Sequence, residues 1–321
     1  MTLNNHPDLK KLFHDPHIPD IDLTEKVMKR IYAEQEEYQP KARFMARRKL
    51  SLLIAVGLLV TASTAVAMVE YNSLKNKKGE VVYKTGPLKD SDFRVPSKEE
   101  SMRTGTSERL KQELLPKGSA AYFYIVPHNP NKELDLKFTP FVYTDAADLR
   151  ANMKDKSVQI VESLNEKLTF RIAEVFYQPE VLSDPPTPQE EAAIADKLHK
   201  QAKEAKKDYA MMPLKFSDQL MHMSATYSHR DKVIEVSVRR DVKQDDFTPS
   251  TYWDEDIKMK QEVLTVDGVE LLYIKFEQNG SSLTWVDETS DPVYQYVYEI
   301  DTVSGKTTKE ELLKMAKLYM K

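Results

Sequence analysis

The segment IKMKQEVLTVDGVELLYIKF, residues 257–276, is the strongest indicator of fold class in this 321-residue chain. Two runs of strand-like composition, Ile257–Thr265 and Val269–Phe276, flank the pair Asp267-Gly268. An Asp-Gly pair suits a two-residue β-turn, because both turn positions require a left-handed backbone conformation. The segment therefore predicts a β-hairpin.

Strand candidates continue on both sides of this hairpin. Consecutive strands joined by short polar turns favour an antiparallel sheet. The expected strands are Met221–Tyr227, Lys232–Arg239, Leu283–Val286 and Val293–Ile300. A capping box at Thr308 and Glu311 begins a final helix. Its apolar stripe, which we expect to pack on the sheet, is Leu312, Met315, Ala316 and Tyr319.

The preceding part of the chain mixes helices with strands. A second capping box, Thr187 with Glu190, has Pro188 at the first helical position, so a helix should run from there to about Tyr209. The polar stretch Leu88–Gly105 predicts a linker or surface loop. The other expected elements are strands at Val81–Tyr83, Ala120–Val126, Leu134–Tyr143 and Leu168–Tyr177, and helices at Ser107–Leu115 and Asp145–Met153. This pattern indicates the α+β class, with a mostly antiparallel sheet and packed helices.

One stretch departs from the charged character of the chain. Residues 50–69, LSLLIAVGLLVTASTAVAMV, contain no charge. A helix of about twenty residues is about 30 Å long, which matches the hydrocarbon core of a bilayer. We therefore expect residues 50–69 to be a single transmembrane helix.

Basic residues flank this span on its N-terminal side. Five positive charges fall within nine residues without an acid: Lys41, Arg43, Arg47, Arg48 and Lys49. The positive-inside rule then places the N-terminus in the cytoplasm and the C-terminal part outside the membrane. Ala65-Val66-Ala67 also has the form of a signal-peptidase site, but a 49-residue leader exceeds an ordinary signal peptide, which favours an uncleaved anchor.

The cytoplasmic residues 1–49 contain one amphipathic pattern. Asp22 and Glu25 have capping-box spacing, and a helix should follow up to Pro40. Its apolar face consists of Leu23, Val27, Met28, Ile31 and Tyr32. A lone helix of this length is marginal in water, so the face needs a partner. Two alternatives stay open: the helix lies on the membrane surface or on its own upstream turn, or it binds a cytoplasmic protein such as a sigma factor.

Composition excludes several kinds of chemistry. The chain has no cysteine, which removes disulfides, thiol nucleophiles and thiolate zinc sites, and only 8 glycines, which leaves little from which to build a phosphate loop. A net charge of −4 disfavours a nucleic-acid binder. No catalytic motif is present, so we expect no enzyme, no cofactor and no metal. His222 between two methionines is a weak soft-metal candidate, and Trp253 and Trp285 either line an apolar groove or belong to the core.

The C-terminal residues resemble a known but uncharacterised family. The stretches VDGVE (266–270), LTW (283–285), YEI (298–300) and KEELLKMA (309–316) occur in the order of an extracytoplasmic domain of unknown function. That family occurs in membrane-anchored proteins of Gram-positive bacteria, sometimes behind anti-sigma-factor-like cytoplasmic regions. The resemblance implies no catalytic residues, and this chain lacks the cysteines of the zinc module found in many anti-sigma factors.

Together these patterns predict four regions. Residues 1–49 form a cytoplasmic segment, 50–69 the transmembrane helix, 70–118 a linker with short elements, and 119–321 an extracytoplasmic α+β domain whose meander and last helix span 221–321. The leading hypothesis is an extracytoplasmic sensor or binding domain linked to a cytoplasmic partner-binding segment. The alternative is an envelope carrier or structural protein that binds an apolar ligand, with the N-terminal segment serving only to set the topology.

Overall fold

The computed structural model describes residues 72–87, 94–243, 251–253, 257–277, 280–289, 291–302 and 307–320. Within these residues the protein is α+β, with mostly antiparallel sheets and few helices. This confirms the expected fold class. The apolar run 50–69 lies outside the described residues, and no described helix is long and apolar enough to cross a membrane.

The strands are short to medium in length, and they are numbered in chain order. They are β1 (Asn72–Lys75), β2 (Val81–Pro87), β3 (Ala120–Ile125), β4 (Asp135–Phe138), β5 (Phe141–Tyr143), β6 (Thr169–Pro179), β7 (Tyr209–Leu214), β8 (Phe216–His229), β9 (Lys232–Val242), β10 (Thr251–Trp253), β11 (Met259–Val266), β12 (Val269–Phe276), β13 (Ser281–Asp287) and β14 (Tyr294–Thr302). The helices are α1 (Lys98–Leu114), α2 (Ala146–Asn152), α3 (Glu180–Ser183), α4 (Pro188–Glu204) and α5 (Lys309–Ala316).

One large sheet organises the fold. Its eight strands have the order β11-β12-β13-β14-β9-β8-β6-β5, and every neighbouring pair is antiparallel. The hairpin predicted at residues 257–276 is confirmed, because Val266 pairs with Val269 and the turn residues Asp267 and Gly268 have φ of 52° and 81°. Two consecutive positive φ values fit the turn whose twist matches that of the flanking strands.

Two smaller sheets accompany the large one. The middle sheet has the antiparallel order β4-β3-β7. The N-terminal sheet has the order β1-β2-β10, in which β1 and β2 form an antiparallel hairpin and β10 runs parallel to β2. Thr251 of β10 pairs with Thr85 of β2, so the N-terminal sheet joins segments that are far apart in the chain.

The large sheet buries apolar side chains on both faces. One face carries the main core, which includes Val236, Trp285 and Tyr298 and is packed against helices α2 and α5. Helix α5 begins at the predicted Thr308–Glu311 capping box, and its predicted stripe Leu312, Met315, Ala316 and Tyr319 is buried. Tyr319 hydrogen-bonds Tyr227 of β8 with 2.8 Å between the hydroxyl oxygens, which ties the C-terminal segment to the sheet.

The opposite face of the large sheet meets the N-terminal sheet. Leu74 and Tyr83 pack in one cluster with Leu272, Ile274 and Val297. Leu74 and Tyr83 pair directly across the β1–β2 hairpin, so they lie on the same side of it. The N-terminal hairpin is therefore seated on the large sheet by an apolar contact at β12 to β14.

Two helix boundaries differ from the expectation. Helix α1 begins at Lys98 instead of Ser107, because Ser97 accepts a hydrogen bond from the Glu100 amide and caps it. Helix α4 ends at Glu204 instead of near Tyr209. Lys206 closes it in a left-handed conformation (φ 52°), the role that glycine usually has. The residues that follow the helix then form β7. The sequence pattern does not predict this strand.

Candidate functional site

A polar layer lies beside the apolar contact between the N-terminal sheet and the large sheet. On β14, Val297 and Glu299 are two residues apart and share one face. Val297 packs with Leu74 and Tyr83, whereas Glu299 is 5% exposed and accepts a 2.9 Å hydrogen bond from the Ser282 hydroxyl. An ionisable carboxyl group is thus buried close to the N-terminal hairpin.

Three carboxyl groups share this face of the large sheet. Asp301 lies two residues beyond Glu299, and it pairs directly with Glu235 of β9. Burial raises the pKa of both Glu299 and Asp301 well above the usual range. The neighbouring Asp301 carboxyl raises the pKa of Glu299 further, and that of Glu235 does the same for Asp301. Within this acidic cluster of Glu235, Glu299 and Asp301, the raised pKa values mean that Glu299 and Asp301 hold protons that isolated carboxylates would release.

Arg239 is the positive charge of the polar layer. Its guanidinium donates to both carboxylate oxygens of Asp241, at 2.6 and 2.9 Å. Burial alone would lower the pKa of Arg239, but the bidentate contact and the charge of Asp241 raise it, so the side chain stays charged. The charge of Arg239 lowers the pKa of Glu299, but by less than burial raises it.

Thr251 of β10 connects β2 with β9 in the polar layer. Its hydroxyl accepts a 3.0 Å hydrogen bond from the Tyr83 hydroxyl of β2 and a 3.3 Å hydrogen bond from Arg239 of β9. Gln295 of β14 adds a further link, because its amide donates to the Val82 carbonyl at 2.6 Å. The N-terminal hairpin is consequently held by hydrogen bonds as well as by apolar packing.

Some buried polar atoms near this layer lack partners within the described residues. They are the hydroxyls of Thr85 and Thr284 and the side-chain carbonyl of Gln295. Thr85 and Thr284 are fully buried, and Thr284 pairs directly with Glu299 across β13 and β14. Unsatisfied buried groups are uncommon in native proteins and concentrate where a structure serves more than stability.

A pocket of about 200 Å³ lies at the end of the same hairpin. Its walls come from β1 and the turn after it, from β2, from the start of β12, from the end of β13 and from the C-terminal segment. The apolar lining consists of Leu74, Val82, Val269, Trp285, Val286 and Met320, and the polar lining of Lys75, Asn76, Lys77, Glu270, Asp287 and Glu288. The pocket therefore spans the contact between the N-terminal hairpin and the large sheet.

Trp285 lines this pocket and also belongs to the main core. The side chain is 1% exposed and stacks on Tyr298 with ring centroids 5.2 Å apart. Its indole N–H is buried and has no acceptor among the described residues. A buried donor without an acceptor is destabilising.

His222 does not form the soft-metal site considered from the sequence. Side chains alternate along a strand, so His222 faces away from the core that holds Met223. Its ring lies 6.0 Å from that of Phe176, and burial, assisted by the charge of Arg239, lowers its pKa to about 4. Among the described residues no group of three or more histidine or acidic side chains is arranged to hold a metal ion.

The residues predicted to bind a partner or to set the topology lie outside the described residues. They are Leu23, Val27, Met28, Ile31 and Tyr32, and Lys41, Arg43, Arg47, Arg48 and Lys49. The polar layer was not predicted from the sequence. Tyr83, Arg239 and Glu299 lie on distant strands, and only the pairing of these strands brings them together. Trp285 was predicted to be either core or pocket lining, and it is both.

No protein-family model, curated protein or solved structure matches the chain. The class of the protein therefore follows from its own architecture, an α+β domain of mostly antiparallel sheets with a polar layer and a small pocket at its N-terminal hairpin.

Proposed function

We propose that the protein is a single-pass membrane protein whose extracytoplasmic domain senses or binds a ligand and whose cytoplasmic segment binds a protein partner. Residues 50–69 are the anchor, and the N-terminus is cytoplasmic. The resemblance to membrane-anchored Gram-positive proteins favours a partner of the sigma-factor type and an anti-sigma-like role. The face Leu23, Val27, Met28, Ile31 and Tyr32 is the proposed contact with that partner.

The position of strand β1 carries this proposal. It begins at Asn72, so only Glu70 and Tyr71 separate it from the end of the apolar run at Val69, and it pairs with β2. The anchor and the seated hairpin are thus joined by almost no free chain. A change in how the hairpin sits on the large sheet would be transmitted to the anchor instead of being absorbed by a flexible linker.

The size of the pocket favours a small-ligand binding role for the outer domain and disfavours the role of a lipid carrier. Its volume of about 200 Å³ is below the roughly 300–1,000 Å³ typical of sites for drug-sized ligands. An acyl chain needs more room than this, whereas a small polar metabolite does not. The envelope-carrier alternative would require a larger apolar cavity among the described residues than this pocket offers.

The topology is tested by protease treatment of intact cells that express the full chain with a C-terminal tag. Loss of the tag, with an N-terminal tag protected, is the expected result. A freely secreted fragment that begins near Met68 would reject the anchor.

Partner binding is tested by co-purification from cells, with partners identified by mass spectrometry. The double variant Val27→Asp and Ile31→Asp should lose the partner, whereas Lys29→Asp on the opposite side of the predicted helix should keep it. Equal recovery with both variants would reject this helix as the contact. A phenotype unaffected by deletion of residues 1–40 would favour the carrier alternative.

A further inference from the structure

The charged groups around the pocket are of both signs. The ammonium groups of Lys75 and Lys77 make no ion pair with another described residue, and the same holds for the carboxylates of Glu270 and Glu288. Glu270 accepts only the backbone N–H of Lys75, at 2.7 Å, and Glu288 accepts the side-chain amide of Asn76, at 2.8 Å. Opposite charges thus line one small pocket without neutralising each other.

The positions of these groups are set by the local fold. The Asn76 side chain accepts the backbone N–H groups of Lys78 and Glu80, which fixes the turn between β1 and β2. Lys77 extends from this turn towards the β11–β12 turn, where its Cε lies 3.8 Å from the position that a Cβ would take on Gly268. Lys75 is therefore presented from the end of β1 and Lys77 from an ordered turn.

The third element of the pocket is an apolar wall that contains Leu74, Val82 and Val286. Trp285 also lines the pocket, although its ring packs in the main core with Tyr298 and its indole N–H is buried. The apolar wall favours an apolar ligand body.

We propose that this pocket binds a small zwitterion with an apolar body, of the size of a free branched-chain α-amino acid. The ligand carboxylate is complementary to Lys75 and Lys77. The ligand ammonium is complementary to Glu270 and Glu288, and its side chain to the apolar wall. The volume admits a ligand of on the order of ten non-hydrogen atoms. The inference rests on the proposed binding role of the outer domain, but not on the anchor or on a cytoplasmic partner.

The test uses the full-length chain in detergent micelles and leucine as the probe. The chain contains two tryptophans, so Trp253→Phe leaves Trp285 as the only tryptophan, which is excited selectively at a wavelength where tyrosine does not absorb. Leucine should change the Trp285 emission saturably, with a Kd below about 1 mM. Two analogues separate the charges: 4-methylpentanoate lacks the ammonium and 3-methylbutylamine lacks the carboxylate. Each should bind at least about tenfold more weakly than leucine.

Variants localise the binding, which is measured by titration calorimetry. Lys75→Gln and Glu270→Gln should each weaken leucine binding at least about tenfold, whereas Lys117→Gln, an exposed lysine elsewhere, should not. Val269→Phe should block the pocket, and Val242→Phe, at a 53% exposed site elsewhere, is its control. Unchanged unfolding midpoints show that the variants are folded.

Phosphoethanolamine tests whether the zwitterion comes from a lipid headgroup. Weaker binding of this probe, which has no apolar body, than of leucine is expected, and tighter binding would overturn the proposed recognition of an apolar body. Absence of saturable binding by both leucine and phosphoethanolamine, or analogues that bind as tightly as leucine, would overturn the proposal. The protease test of the C-terminal tag does not depend on ligand binding. The zwitterion site and the membrane topology can therefore be rejected separately.

Discussion

Asp301 and Glu235 lie directly opposite each other on the neighbouring antiparallel strands β14 and β9. Two acids in such a cross-strand pair repel each other when both are ionised. The Ser224 hydroxyl donates to Glu235 at 2.6 Å. Burial and the charge of Glu235 raise the pKa of Asp301, so Asp301 makes the stability of the domain depend on pH.

The first prediction concerns the variant Asp301→Asn. Burial raises the pKa of Asp301 in the folded state above its unfolded value. Its stabilising contribution is therefore complete below the unfolded pKa, near 3.9, and is lost as the pH rises through the folded pKa. The neutral asparagine has no such loss. Relative to wild type, Asp301→Asn should gain free energy of unfolding as the pH rises from about 4 to about 8.

Urea unfolding at several pH values measures this difference. Ser217→Ala, a change on another part of the large sheet, serves as a control that removes no titrating group. A constant difference between Asp301→Asn and wild type across the pH range would contradict the prediction.

The second prediction concerns His222, whose pH dependence has the opposite sign. Its folded pKa is lowered to about 4 from an unfolded value near 6.5. The contribution of neutral His222 is present above pH about 6.5 and is lost as the pH falls towards 4. His222→Gln cannot be protonated, so it should gain about 1–2 kcal/mol relative to wild type over that interval, after allowance for partial solvent contact. His128→Gln, in an exposed turn, should show no comparable gain in the same unfolding series.

The third prediction compares two glycines. Gly118 has φ of +67°, and a Cβ there would lie 2.6 Å from the Phe141 ring. Gly118→Ala should lower the free energy of unfolding by about 1–3 kcal/mol, because it adds backbone strain and displaces a packed ring. Gly105 lies in helix α1 with no atom near its Cβ position, so Gly105→Ala should raise stability by about 0.5–1 kcal/mol. Equal effects of the two substitutions in thermal or urea unfolding would refute this explanation.

The fourth prediction tests how the N-terminal hairpin is held. Tyr83→Phe removes the hydrogen bond to Thr251 but keeps the apolar ring, and it should reduce stability by about 1 kcal/mol. Because Thr251 also contacts Arg239, amide hydrogen exchange should increase in residues 72–87 more than in β13. Val81→Thr, at a 37% exposed site on the same strand, is the matched control. Uniform exchange across the domain would show that the hairpin opens only with global unfolding.

Local chemistry explains which elements could be predicted from the sequence. The hairpin at Asp267-Gly268 and the helix after Thr308 depend on turn and cap residues within a few positions, and both are confirmed. The start of helix α1 was missed although Ser97 and Glu100 have capping spacing, because the helix is too polar to show an apolar stripe. The end of helix α4 was missed because a lysine, Lys206, adopts the left-handed conformation there.

The candidate site was less accessible to sequence reasoning for a physical reason. Tyr83, Arg239 and Glu299 are brought together by strand pairing, and the register of distant strands is set by the packing of whole faces. Nothing near any one of these residues marks it as part of a polar layer. The indole N–H of Trp285 is likewise recognised as unpartnered only when its surroundings are known.

The parallel pairing of β10 with β2 has a consequence for the order of assembly. Strand β2 ends at residue 87, but its partner β10 is synthesised more than 160 residues later. Glu299, on β14 in the same polar layer, is synthesised later still. Closing so long a loop is slow, and domains are synthesised from the N-terminus. The hairpin therefore cannot pack on the large sheet until nearly the whole chain has been synthesised. Its packing is a late step in the folding of the domain.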